Sequence, residues 1–214
     1  MKKYTIITLY PELLEPYING AILGRARKAG RIDVRCVDLR AFGLGKYKQV
    51  DDTPYGGGPG MILRADVVIP AIRKVLDVSK GAKVVLLTPN GTMFDQKKAN
   101  DLAVEDHIIF ICGRFEGFDE RIAQYVDEKI SVGPYVTAGG ELPALTVIET
   151  VARLIPGVLG NASSTVEESF SENTFEYPQY TKPETFEGRD IPPILLSGHH
   201  QEIKKWRREH QAQI

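Results

Sequence analysis

Short apolar runs alternate with segments of helical periodicity along most of the chain. The runs are rich in β-branched residues and predict strands at 4–9, 32–39, 83–88, 107–112 and 129–132. Strands that alternate with helices form a parallel sheet, so we expect an α/β fold. The runs ending at Leu87 and Cys112 are apolar throughout, which indicates central strands covered by helices on both faces.

Two helices are predicted with defined ends. Asp95 is a suitable N-cap for a helix over 94–103. A second helix follows Glu141 and ends at Pro156-Gly157, and its apolar positions are Leu142, Leu145, Val147, Ile148, Val151, Ala152, Leu154 and Ile155. This apolar face is wide enough to predict contact with a partner as well as with the core.

The sequence changes character near Gly160, where Ser, Thr, Glu, Pro and aromatic residues appear without a sustained period. Long segments of this kind are usually lids, binding loops or linkers. We therefore predict an α/β domain over 1–159, a flexible linker or lid over 160–190, and a small, mainly helical C-terminal region over 191–214. That last region contains a basic helix from His199 to His210.

Composition narrows the class of protein. The 214 residues are 43% hydrophobic and 26% charged, as in ordinary globular proteins, and no apolar run approaches the ~20 residues of a membrane span. Cys36 and Cys112 lie in apolar runs without metal or disulfide spacing, which favours a reduced, cytoplasmic location. With a net charge of −1, any binding of nucleic acid would depend on local basic patches.

Four glycine-bearing segments are candidate ligand loops, and they cover 54–60, 87–91, 112–117 and 132–140. The last three each follow a predicted strand. Loops at the carboxyl ends of parallel strands line the ligand crevice, and glycine lets backbone groups approach a ligand closely. Any one of them alone is more typical of an ordinary tight turn, but three in succession favour a site for a nucleoside-like ligand.

Several common site types are missing from the sequence. No GxGxxG follows the first strand and no GxxxxGK[ST] occurs, so the Rossmann fingerprint and the Walker P-loop are both absent. The four histidines lack metal-ligand spacing, and no Ser/His/Asp arrangement can be assembled. We predict no metal site from these residues.

Longer motifs resemble one family across nearly the whole chain. They are DDTPYGGGPGM at 51–61, CGRFEGFDER at 112–121, GGELPA at 139–144, ARLIPGVLG at 152–160, ESF at 168–170, YPQYTKP at 177–183 and LLSGHH at 195–200. Together they resemble the bacterial tRNA (guanine-N1)-methyltransferases of the TrmD type, in the SPOUT class. The resemblance implies a SPOUT-type parallel sheet with a trefoil-knotted site for S-adenosylmethionine, and an obligate homodimer with its active site at the subunit interface.

The implied reaction is methylation of N1 of the guanosine 3′ of the anticodon, tRNA position 37. The resemblance assigns cofactor binding to the three loops after the central strands, at Leu86, Leu87, Thr88, Pro89, Gly91, Gly113, Phe115, Gly117, Val132, Gly133, Pro134, Tyr135, Val136, Thr137, Gly139, Gly140 and Pro143. It also implies magnesium, although the sequence contains no recognisable ligand cluster.

Methylating N1 requires a base for its proton and a group that stabilises negative charge on O6. By resemblance the base is Glu168, the stabilising group is Arg153, and Glu116 accepts hydrogen bonds from the N–H edge of guanine. The family usually has aspartate where Glu168 stands, which leaves Glu167 as a rival. Without the resemblance, Glu168 is typical of a solvated loop glutamate.

Smaller departures from the family pattern are Phe115 for tyrosine, Pro134 for aspartate and Ala138 for serine. Backbone-mediated cofactor binding should tolerate these changes.

The candidate tRNA surface is the basic helix, with Lys204, Lys205, Arg207 and Arg208 at spacings that group cations for phosphates. A second basic patch contains Arg25, Arg27, Lys28 and Arg31. The family usually continues well beyond Arg207, so we expect a trimmed chain, a piece of a fusion or a naturally short member. Two other functions stay open, namely methylation at another RNA site and non-catalytic binding of RNA or S-adenosylmethionine.

Overall fold

The computed structural model describes residues 1–160, 169–170 and 174–212. Its strands are β1 (Lys2–Thr8), β2 (Ile32–Asp38), β3 (Asp51–Asp52), β4 (Ile62–Leu63), β5 (Lys83–Met93), β6 (His107–Cys112), β7 (Glu128–Ser131), β8 (Thr185–Phe186) and β9 (Arg189–Asp190). Its α-helices are α1 (Glu15–Asn19), α2 (Ala21–Lys28), α3 (Ala65–Val78), α4 (Gln96–Ala103), α5 (Glu141–Arg153) and α6 (His200–Glu209).

The central sheet contains five parallel strands in the order β2-β1-β6-β5-β7. The predicted parallel α/β fold is therefore confirmed, and the five apolar runs coincide with the five strands. The predicted cap of α4 is also confirmed, because the Asp95 carboxylate accepts a hydrogen bond of 2.7 Å from the Lys98 amide. The trefoil knot stays a prediction.

Helices cover the central strands on both faces. One face packs against α1, α2, α4 and α5, and the other packs against α3 and two 3-10 helices, Leu39–Phe42 and Glu120–Tyr125. In β6, every residue after His107 is buried. A strand covered in this way needs apolar side chains on both faces, which is why its sequence does not alternate.

β5 departs from its predicted end. Leu87 and Thr92 both pair with Ile130 of β7, so the four residues 88–91 leave the ladder and the strand then resumes. Gly91 closes this excursion against β7, where a Cβ atom would lie 2.5 Å from the Ile130 amide nitrogen. The run predicted to end at Thr88 therefore continues to Met93, because the residues after the loop regain the same neighbour.

The apolar face of α5 is mostly covered within one chain. Five of its eight predicted apolar residues are buried in the core, at Leu145, Val147, Ile148, Val151 and Ala152. Leu154 and Ile155 are half-buried and Leu142 is exposed. The width of this face therefore reflects burial against the chain's own sheet, and by itself does not require a partner.

The N-terminal strand is tied to the end of α4 by a buried lysine. The Lys2 ammonium donates to the carbonyls of Leu102 at 2.7 Å and Ala103 at 3.1 Å, and also to that of Glu105. These contacts satisfy helix-end carbonyls that would otherwise lack partners. Burial lowers the pKa of Lys2 to about 8, against the opposing effect of the Glu105 and Asp106 carboxylates.

The chain divides into two compact units, 1–160 and 161–214. In the second unit, β8 and β9 form a short antiparallel hairpin and α6 carries an aromatic cluster. Trp206 stacks on His210 at 4.1 Å between ring centroids, and the Arg207 guanidinium lies 4.7 Å from the centre of the Tyr177 ring. No helix in the described ranges is long and apolar enough to span a membrane.

Candidate functional site

Three loops at the carboxyl edge of the sheet enclose a cavity of about 300 Å³. They are the excursion at 88–91 within β5 and the loops after β6 and β7, and these three strands are neighbours at one side of the sheet. The cavity is lined by Leu87, Thr88, Pro89, Gly113, Arg114, Phe115, Glu116, Gly117, Phe118, Ile130, Ser131, Val132, Gly133, Tyr135, Val136, Thr137, Ala138, Gly139, Gly140 and Pro143. Its volume is at the lower end of the range for small-molecule sites.

Fourteen of the seventeen residues assigned to the cofactor line this cavity. The other three lie close to it in the chain but not on its wall. Leu86 is buried in the core on the α3 side of the sheet, Gly91 packs on β7, and Pro134 is exposed.

The glycines of the site are required by close packing. A Cβ atom at Gly140 would lie 2.6 Å from the Cys112 Cα, and one at Gly113 would lie 2.7 Å from the Phe118 ring. Phe115 adopts a left-handed conformation at φ 60°, and half of its surface remains exposed at the cavity mouth. This loop therefore follows a tightly determined path past the cavity.

The loops are further held by their own polar groups. Thr137 Oγ1 donates to the Gly139 carbonyl at 2.8 Å, and the buried Ser131 hydroxyl donates to the Gly133 carbonyl at 3.0 Å. Such local bonds satisfy side-chain hydroxyls within the loop and leave the loop path fixed. Apolar side chains such as Leu87, Val132 and Pro143 supply the rest of the wall.

The glycine-bearing segment at 54–60 lies outside the parallel sheet and contacts the wall of the cavity. It connects β3 to β4, and Met61 at its end accepts a hydrogen bond of 2.9 Å from the Glu116 amide. Gly60 has φ +76°, and a Cβ atom there would lie 2.5 Å from Cγ of Glu116. This contact places the segment directly beside a residue that the sequence assigned to guanine recognition.

The remaining sequence-assigned residues are distributed along the chain. Arg153 is the last residue of α5 and is half-buried, whereas Glu116 is exposed. Lys204, Lys205, Arg207 and Arg208 are all exposed on α6. Glu167 and Glu168 lie outside the described residues.

Sequence reasoning assigned no role to an ion pair behind the cavity. Arg114 lines the cavity and pairs with Glu141, which is only 3% exposed. Both residues lie within motifs that carry the family resemblance, at 112–121 and 139–144, so the sequence did mark them as candidates. Their pairing depends on tertiary structure, which a one-dimensional pattern does not contain.

A buried thiol lies beneath the same loops. Burial raises the pKa of Cys112 well above its usual value, and the nearby Glu141 carboxylate raises it further. A thiol held protonated is a poor nucleophile, so Cys112 contributes packing rather than chemistry. Within the described ranges, no group of three His, Cys, Asp or Glu side chains is arranged to hold a metal ion.

Comparison with known proteins gives one family over the full sequence. The family model described as tRNA (Guanine-1)-methyltransferase TrmD matches residues 1–214. A tRNA (guanine-N(1)-)-methyltransferase of Thermus thermophilus is 48% identical over 207 residues, covering 97% of this chain and 85% of that protein. The protein of the same name from Geobacillus kaustophilus is 48% identical over 203 residues, covering 94% of this chain and 83% of its own length.

Proposed function

Since the chain belongs to the TrmD family of tRNA (guanine-1)-methyltransferases, we propose that it methylates N1 of the guanosine 3′ of the anticodon in tRNA, with S-adenosylmethionine as donor. The observation that carries this proposal is the glycine-lined cavity formed by three successive loops at the carboxyl edge of a parallel sheet. Ligands of open α/β sheets bind at this edge.

The cavity has the features that an adenosine-based methyl donor requires. It combines apolar walls with several lining glycines, whose backbone a ligand can approach closely, and this suits a mixed polar and apolar molecule. When bound there, S-adenosylmethionine supplies an electrophilic methyl group on a sulfonium. Phe115, Pro134 and Ala138 differ from the family's usual residues, and binding through the backbone makes these differences tolerable.

The chain's own acidic and basic residues supply the acid-base chemistry in this proposal. Glu168 takes the N1 proton of guanine, and the Arg153 guanidinium stabilises the negative charge that develops on O6. Glu116 lies on the cavity wall and accepts hydrogen bonds from the N–H edge of the base. Guanine is selected because a base without those donors would leave this carboxylate unpaired.

The length of α5 argues that two copies of the chain form one site. Gly140 and Pro143 line the cavity at the start of α5, whereas Arg153 is its last residue. The 13 residues of the helix separate its two ends by about 18 Å, which is farther than an arginine side chain extends. We therefore assign Arg153 of a second copy to each cavity, and propose a homodimer.

The tRNA is bound in part by α6. Lys204, Lys205 and Arg208 are exposed on this helix, where they can approach phosphates. Arg207 is also exposed and is held by stacking on Tyr177. Such a surface supplies affinity and orientation, while the choice of base is made in the cavity. As a tRNA-modifying enzyme, the protein would act in the cytoplasm.

A transfer assay on paired transcripts tests the proposal. We expect labelled methyl to enter a tRNA transcript with guanosine at position 37, and not the same transcript with adenosine there. Methylation of both transcripts would indicate a different RNA site. Binding of donor and RNA without transfer would indicate a non-catalytic protein.

Co-expression of two inactive variants tests the shared site. Arg153→Ala removes the arginine from one copy, and Gly140→Val blocks the cavity of the other. If each site combines two copies, half of the dimers are mixed and each has one intact site, so about a quarter of wild-type activity returns. If each site belongs to a single copy, no activity returns.

A further inference from the structure

A buried ion pair forms part of the cavity's outer support. Arg114 Nη2 lies 2.9 Å from Glu141 Oε2, and the two side chains are 17% and 3% exposed. The Glu141 carboxylate also accepts hydrogen bonds through Oε1, at 3.1 Å from Arg114 Nε and at 2.6 Å from the Thr8 hydroxyl. The pair therefore joins the end of β1, the loop after β6 and the start of α5.

Further contacts of Arg114 extend this connection to the loop after β7. Its Nη1 donates to the Ala138 carbonyl at 3.3 Å, and its guanidinium lies over the Tyr10 ring at 4.6 Å from the centroid. Gly139 lies so close that a Cβ atom would be 2.4 Å from Arg114 Nε and 2.5 Å from Glu141 Oε2. The Arg114 guanidinium, carried by the loop after β6, thus contacts the segment after β1, the loop after β7 and the start of α5.

The hydrogen bonding of Glu141 is incomplete. Oε2 is buried and makes no hydrogen bond of acceptable geometry, although Arg114 Nη2 is 2.9 Å away. The charge of the guanidinium balances this oxygen, but the bond angle is not optimal. Proteins in which a buried ion pair is replaced by apolar residues are often as stable as the original. Stability alone therefore does not explain why a pair with an unsatisfied oxygen is present here.

We propose that Arg114 and Glu141 are a positioning pair for the methyl donor. They fix the loop after β6 against the loop after β7, so that the backbone groups of both loops face one ligand. Neither carboxylate nor guanidinium needs to react. The inference rests on the proposed function, because it takes the cavity to be the donor site.

The test separates positioning from stability by neutralising both partners together. Arg114→Met with Glu141→Gln leaves no unpaired buried charge and keeps an acceptor for Thr8. We expect the melting temperature to stay near wild type while the Kd for S-adenosylmethionine, measured by equilibrium dialysis, rises roughly tenfold to a hundredfold, the range found when outer partners of a metal site are lost. The KM for tRNA should stay unchanged.

Two further variants complete the design. Arg114→Lys keeps the charge but cannot contact the three segments together, so we expect a smaller rise in the donor Kd in a normally folded protein. It carries the test if the double variant fails to fold. Glu120→Gln makes the same chemical change in an exposed pair with Lys129 and should leave the donor Kd unchanged.

Wild-type affinity for the donor in the double variant, or in Arg114→Lys, would overturn the inference. Because the donor Kd is measured by direct binding, this result does not depend on whether the protein methylates tRNA. If the wild type binds the donor but does not methylate tRNA, the proposed reaction fails while the comparison of donor affinities still stands.

Discussion

The Gly140 amide donates a hydrogen bond of 2.9 Å to the Gly113 carbonyl, which joins the start of α5 to the loop after β6. A Cβ atom at Gly140 would lie 2.6 Å from the Cys112 Cα and 2.9 Å from the Gly113 amide nitrogen, so this approach requires glycine at position 140. Two walls of the cavity are therefore joined by a backbone hydrogen bond as well as by the Arg114–Glu141 pair.

Gly140→Ala should disrupt donor binding. The added methyl would lie 2.6 Å from the Cys112 backbone, which belongs to a central strand and cannot move aside. We expect a loss of roughly 1–3 kcal/mol in the free energy of unfolding, typical of overpacking, together with a large rise in the donor Kd. Gly160→Ala is the matched control, since nothing lies within 4 Å of its Cβ position. Normal donor binding in Gly140→Ala would contradict the close packing described for this loop.

Much of this arrangement could be predicted from the sequence. The apolar runs ending at Leu87 and Cys112 predicted buried central strands, and the glycines after them predicted the loops that line the cavity. Both predictions depend on local patterns that burial imposes directly. The Asp95 cap was predictable for the same reason, because its partner is three residues away.

Long-range relationships were not predictable in this way. Thr92 pairs with Ile130, the same residue that Leu87 pairs with. Arg114 pairs with Glu141. Both relationships depend on how separate segments meet in space. The partner prediction from α5 stays a prediction for a related reason. Its apolar width indicated burial, but the sequence could not distinguish the chain's own sheet from a second copy.

Glu168→Ala should reduce methyl transfer by roughly 10²–10⁴-fold, the usual contribution of a general base, with little change in the donor Kd. Glu167→Ala is its neighbouring control and should retain most activity. Single-turnover rates with saturating tRNA would compare the two. If Glu167→Ala shows the larger loss, the base has been assigned to the wrong glutamate.

Replacing Lys204 and Lys205 with alanine should weaken tRNA binding without changing the donor Kd. Each lost phosphate contact lowers the slope of log affinity against log salt by about 1, so the double variant should show a shallower salt dependence. Lys97→Ala removes the same charge from α4 and serves as the control. An unchanged salt slope in the α6 variant would exclude these lysines from the tRNA surface.

The buried ammonium of Lys2 should make stability depend on alkaline pH. Its pKa is lowered to about 8 by burial, whereas in the unfolded chain it is near 10.5, so between these values the unfolded chain binds more protons. The free energy of unfolding should therefore rise with pH across this window, by at most about 1.4 kcal/mol per pH unit from this group.

Urea unfolding of the wild type and Lys2→Met across that window would isolate the contribution of Lys2. The variant should lack this rise, and Lys3→Met, which removes an exposed lysine, should retain it. A parallel slope in all three proteins would show that Lys2 does not titrate as described.

Both thiols should react slowly in the folded protein. Burial raises the pKa of Cys36 to about 11 and raises that of Cys112 well above its usual value, so little thiolate exists at neutral pH. A chromogenic disulfide reagent should modify two thiols rapidly in denaturant and neither rapidly under native conditions. If a thiol reacts in the folded protein, the Cys36→Ser variant shows which of the two it is. Rapid labelling of that variant would mean that Cys112 is accessible.

The excursion at residues 88–91 allows the ligand loop and the scaffold to change separately. Leu87 and Thr92 meet the same residue of β7, so the register of the sheet does not depend on how many residues lie between them. Insertions or deletions at this point could reshape the cavity while the strand order stays intact. The loop is accordingly a natural place for evolution, or for protein engineering, to alter which donor molecules the fold accepts.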